Sequence, residues 1–102
     1  MKKQAKSAPV RGGRSLRKAI WIRAWGHRLR VLVSKVPEGY LARVLEMDLV
    51  GLGSSARAAV AELRGTIDAQ FRFAGQFGQR GLIWFKADRR HFAAWRRAAA
   101  LS

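Results

Sequence analysis

YLARVLEMDLVGLGSSARAAVAELRGTIDAQF, residues 40–71, is the stretch that decides how this chain folds. Tyr40, Ala42 and Val44 alternate with Leu41, Arg43 and Leu45, the two-residue period of a half-buried strand. A short second strand runs toward Gly51 and Gly53. Ser54 or Ser55 then caps a helix, since a serine oxygen accepts a backbone N–H that the first turn leaves unpaired. Val60, Leu63, Ile67, Phe71 and Ala74 recur at three- and four-residue steps and form one apolar stripe. Glu62, Arg64, Asp68 and Arg72 fall largely off it. The stretch predicts strand, strand, capped turn and amphipathic helix.

Upstream, residues 28–36 set Leu29, Val31 and Val33 against Arg30, Leu32 and Ser34. Pro37-Glu38-Gly39 is a tight turn, with proline presetting φ and glycine free to take a positive value. Residues 28–46 therefore form a hairpin in which Leu29, Val31 and Val33 share a face with Tyr40, Ala42 and Val44. The other face carries Leu32, Leu41 and Leu45 among arginines. That face is too apolar to be left to water, so the 16–25 segment or a second subunit is expected to cover it. Residues 16–25 read as a further strand, in which Ile20, Ile22 and Ala24 alternate with Trp21, Arg23 and Trp25. A helix capped by Ser15 is the alternative. Residues 1–15 have the composition of a flexible basic arm, leaving 16–102 as one domain.

Downstream, AGQFGQRG (residues 74–81) ends the long helix in a loop, beneath which Phe73 and Phe77 are expected to pack. Leu82–Phe85 reads as a short strand completing the sheet. Asp88 caps a last helix with Phe92, Trp95 and Ala99 on one side and two Arg-Arg pairs on the other. The expected fold is α+β: a small, largely antiparallel sheet of three to four strands. The long helix and the short C-terminal helix pack on one face of it.

Charge is the strongest compositional signal, with 21 Lys or Arg against 6 Asp or Glu in 102 residues. Residues 1–30 carry ten basic side chains and no acid. Residues 31–80 are nearly balanced, and residues 81–102 carry five basic groups and one acid. A neutral middle with cationic ends favours an anionic partner, because each neutralised phosphate releases counterions. A solubilising, self-repelling tail is the plainer reading, and the Arg-rich, acid-free start also has the composition of an organelle transit peptide. No cysteine is present, so disulfides and thiolate metal sites are excluded. No apolar run approaches the roughly 20 residues that span a bilayer. A cytoplasmic location is expected.

Acid–base groups are sparse. Only Glu46 and Asp48 lie close enough to share a strand face, and two carboxylates make a poor metal site. Glu46 is better read as a strand-end residue and Asp48 as organising the following turn. His27 and His91 each stand alone beside arginines, as surface or packing residues. No serine sits in a nucleophile elbow. We expect no catalytic residue, metal, cofactor or small-molecule substrate.

The hairpin with Gly39, the run LEMDLVGLGSS (residues 45–55) and the alanine-rich helix resemble HicB-like antitoxin domains, which have a partial RNase H fold. Ile83-Trp84-Phe85-Lys86-Ala87 and Phe92-Ala93-Ala94-Trp95 resemble the closing segment of single-domain members without a DNA-binding C-terminal module. The resemblance covers about residues 28–97. It implies a β-β-β-α-β-α order and an antitoxin-type protein–protein interaction module without catalysis, whose partner is a small ribonuclease toxin.

Two binding surfaces follow as expectations. A protein partner, or a second copy in a homodimer, is expected to meet Trp21, Trp25, Leu32, Leu41, Arg43 and Leu45. In the alternative reading, the chain is nucleic-acid-associated. Lys2, Lys3, Lys6, Arg11 and Arg14 of the arm would then hold phosphates with Arg17, Lys18 and Arg23, and the last helix would add Arg89, Arg90, Arg96 and Arg97. Attachment to an anionic membrane surface ranks below both.

Overall fold

In the computed structural model, which describes residues 17–101, four strands precede two helices. The strands are β1 (Arg17–Ala24), β2 (His27–Val36), β3 (Gly39–Val44) and β4 (Leu49–Gly53). The helices are α1 (Ala56–Gln76) and α2 (Arg89–Ala100), with a 3-10 turn at Arg80–Ile83 between them. The strands form one antiparallel sheet in the order of the sequence. The expected basic arm lies outside the described residues.

Of the 16–25 segment, Arg17–Ala24 forms the strand rather than the helix. β1 pairs with β2 along its whole length, closing at Ala24 opposite His27. The loop between them is Trp25-Gly26, with φ of 55° and 81°. Positive φ at both central residues is what a two-residue hairpin needs to match the strands' twist. Pro37-Glu38 closes the next hairpin on the Val36–Gly39 pair, and residues 45–48 turn the chain into β4, with Asp48 at φ 52°.

Alternation divides the sheet into two apolar faces. Leu29, Val31, Val33, Ala42 and Val44 meet Ala59, Leu63, Ile67, Phe71 and Ala74 of α1 in the larger core, which Met47 and Ile83 close. Ser55 caps α1, its hydroxyl accepting from the Ala58 N–H at 3.1 Å. The helix runs directly over the backbone of β4. A Cβ on Gly51 would strike the Leu63 backbone, and one on Gly53 the backbone of Ala58 and Ala59. Glycine there permits an approach that no other residue allows.

The opposite face holds a second core: Leu32 and Leu45 under Ala94, Trp95 and Ala98 of α2, with Ala87. The two helices therefore sandwich the sheet rather than sharing one face. The cause lies in the strand period: Leu32 has the opposite parity to Val31 and Val33. Its side needs a cover, and the chain's own last helix supplies one. Trp95 fixes the arrangement by donating its indole N–H toward the carbonyls of Ile20 (3.3 Å) and Val31 (3.2 Å). Asp88 caps α2 as expected, accepting from the Arg90 N–H at 2.9 Å.

Leu82–Phe85 is not a strand. Ile83 alone of the four is buried, at the end of the 3-10 turn, while Leu82 and Phe85 are exposed. One anchor in four residues is helical-turn geometry rather than a pleat. The order is thus β-β-β-β-α-α, with Leu49–Gly53 as fourth strand. Phe73 and Phe77 do not pack beneath the loop. They lie exposed against each other with ring centroids 4.7 Å apart.

Candidate anion-binding groove

Register builds the site. Across the second face of the sheet run two rows of opposed residues. One is Arg17, Ser34, Leu41 and Leu52; the other is Ala19, Leu32, Arg43 and Val50. The helix α2 covers Ala19 and Leu32 at one side of these rows. Between it and the uncovered part lies a groove of about 430 Å³, floored by Leu32, Val36, Leu41 and Ala94. Arg17 and Arg43 enter it from the sheet. Arg90 and Arg97 enter from α2, where their seven-residue spacing, with Ala94 between, sets them on one helical stripe. His91 and Ser34 complete the polar lining.

Four guanidinium groups face this space, and one carboxylate answers them. Arg43 pairs with Asp48 at 2.7 Å, while Arg17, Arg90 and Arg97 make no ion pair among the described residues. Burial depresses the His91 pKa, and the positive charges of Arg43 and Arg90 push it further down; Asp48 and Asp88 oppose them. The Arg43 and Arg90 charges beside His91 add positive potential to this space, which a bound anion would relieve. Asp88 is itself held below the ordinary carboxylate range by the Arg90 N–H it accepts from and by neighbouring positive charges.

The expected basic residues separate in space. Arg17, Arg90 and Arg97 meet in the groove. Lys18 points to the other face, between β1 and α1. Arg23 is exposed near the end of β1, and Arg89 and Arg96 are exposed on α2 away from the groove. Lys2, Lys3, Lys6, Arg11 and Arg14 lie outside the described residues.

The expected protein interface divides as well. Leu45 (0% exposed) is sealed under α2 and presents nothing to a partner, while Leu32 (5%), packed against α2, shows only an edge to the groove floor. Leu41 and Arg43 lie in the groove, so Arg43 joins the cationic set. Trp21 and Trp25 fall on different faces, because the positive φ at Trp25 turns it off the strand. Trp21 meets Trp95 edge-on at 5.3 Å and carries the Arg28 guanidinium 4.3 Å over its ring, which occupies that ring face. Trp25 stacks on Phe71 at 5.3 Å and donates its indole N–H to Asp68 at 2.9 Å.

Sequence reasoning missed His91 and Ser34. Each stands beside residues that it did single out, and only the cross-strand register and the way α2 lies on the sheet bring them to one space. Glu46 accepts from both the Arg30 N–H and its guanidinium, so neither Glu46 nor Asp48 is free to ligate. No group of three or more potential metal ligands occurs among the described residues. No described helix is long and apolar enough to cross a membrane. Compared with known proteins, the chain matches no family model, no curated protein and no solved structure.

Proposed function

We propose that this chain is a non-enzymatic binding module of the cytoplasm whose groove holds the phosphate backbone of a nucleic acid. The observation that carries the reading is the convergence of Arg17, Arg43, Arg90 and Arg97 on one groove with a single carboxylate among them. Guanidinium groups form paired hydrogen bonds to phosphate oxygens. The groove's other polar side chains are Ser34 and His91, so in this reading binding rests mainly on the charge of the phosphate backbone. The test is amide chemical-shift mapping with a short single-stranded oligonucleotide. Shifts centred on Ser34, Arg43, His91 and Arg97 support the reading; shifts confined to residues before Arg17 contradict it.

A second reading keeps the HicB-like resemblance and makes the chain an antitoxin-type module that binds a protein or a second copy of itself. It is favoured by the open part of the second face, where Val50 and Leu52 are 39% and 50% exposed beside Leu41. Sedimentation of Leu41→Glu against wild type tests it. A lower mass for the variant supports self-association, and a wild-type monomer removes the homodimer.

A further inference from the structure

A second groove lies on the other side of the sheet, and its chemistry differs. It is about 360 Å³ in volume, between β1 and the first half of α1. Ile20, Val33 and Val60 form an apolar floor, and Lys18, Arg57 and Arg64 stand around it with no carboxylate among the lining residues. Lys18 and Arg57 make no ion pair among the described residues.

The groove adjoins a free strand edge. β1 is the first strand of the sheet, and among the described residues no strand pairs with its outer side. The two-residue loop closes on the Ala24–His27 pair. Hydrogen-bonded pairs then recur at Ile22, Ile20 and Lys18, so Ala19, Trp21 and Arg23 turn their backbone N–H and C=O outward. The Arg23 carbonyl bears this out, since it accepts from the Arg64 guanidinium at 3.0 Å. The other edge is blunted, because the Glu62 side chain accepts the Leu52 N–H.

We propose that an extended segment of a protein partner, alternating apolar and acidic residues, adds as a strand to the outer edge of β1. Main-chain hydrogen bonds to Ala19, Trp21 and the Arg23 N–H set its register, the Arg23 carbonyl being already held by Arg64. Its apolar side chains enter the groove over Ile20, Val33 and Val60, and its carboxylates meet Lys18, Arg57 and Arg64. Charge selects this occupant. The chain's own residues 1–16 are basic and acid-free, as is the groove's rim, and a second copy brings the same net positive charge. A phosphate backbone satisfies the rim but leaves the apolar floor and the strand edge unused.

The test uses the full chain and a fluorescent peptide alternating glutamate and valine, as long as the eight residues of β1. A peptide of the same composition with the glutamates in one block is the control. We expect the alternating peptide to bind at least about tenfold tighter than the block, with amide shifts at Ala19, Trp21 and Arg23. K18E/R57E, both exposed positions, should weaken it about tenfold while keeping the wild-type melting temperature within a few degrees. Equal binding of the two peptides, or no loss in K18E/R57E, overturns the proposal. So does a dimer in sedimentation that the peptide dissociates, or an oligonucleotide that competes for the same amides. Neither pair of outcomes depends on the arginine groove.

Discussion

Arg43 and Asp48 form a 2.7 Å ion pair at the margin of the groove, and it is the only ion pair that any groove arginine makes among the described residues. Asp48 thereby screens one of four converging charges. Asp48→Asn keeps a side chain that tolerates the positive φ of 52° while removing the charge. Oligonucleotide affinity should rise by about two- to fivefold at low salt. The stability cost should stay below about 1 kcal/mol, since the pair is partly exposed. Fluorescence anisotropy and urea titration read the two quantities separately.

Binding should depend on pH through His91. Its folded pKa lies below the ordinary value of 6.5, first because of burial and then because of Arg43 and Arg90. As pH falls below that value the unfolded imidazole takes a proton before the folded one. The unfolded state then binds more protons, and stability falls with pH across that interval. A bound phosphate favours the imidazolium, so affinity should move the other way and strengthen as pH falls through the same interval. His91→Gln should flatten both profiles. An affinity profile that remains pH-dependent in this variant would place the titrating group elsewhere.

The second core rests on few residues. Leu45 is fully buried between the sheet and α2, and Leu45→Ala should cost about 2–5 kcal/mol in urea unfolding. Trp95→Phe keeps most of the ring and removes the N–H that reaches Ile20 and Val31, a loss of about 1 kcal/mol. If Leu45→Ala unfolded with wild-type stability, α2 would not be docked where Arg90 and Arg97 need it.

Two glycines should respond in opposite directions. A Cβ on Gly51 meets the Ala59 and Leu63 backbone, so Gly51→Ala should destabilise by about 1–3 kcal/mol. Gly65 lies inside α1, and a Cβ there meets nothing within 4 Å. Gly65→Ala should stabilise the helix by about 0.5–1 kcal/mol. Thermal melts of the two variants decide whether α1 lies as close to β4 as described.

The strands, the 56–76 helix and both caps are legible in the sequence because each rests on local information. Alternation shows in Leu29–Val33, the three- and four-residue stripe in Leu63–Ala74, and a capping side chain in Ser55 and Asp88. Which helix covers which face was not legible. Leu32 and Leu45 announce an apolar second face, but nothing local says that Ala94, Trp95 and Ala98 will reach it from the far end of the chain. The Leu82–Phe85 run misleads because apolar content is shared by a strand and by an exposed linker with one anchor. The groove shows the same division. Arg17, Arg90 and Arg97 are recognisable as cationic, yet only the Arg17–Ser34–Leu41 register and the placement of α2 gather them with Arg43 and His91.

The salt dependence of oligonucleotide affinity tests the groove most directly, compared between the wild-type chain and R17Q/R97Q. Each lost phosphate contact lowers the slope of log affinity against log salt by about 0.7 for a single strand. The slope of the double variant should be shallower by about 1–1.5, with unchanged unfolding. A slope equal to that of wild type would mean that the converging arginines do not hold the phosphates.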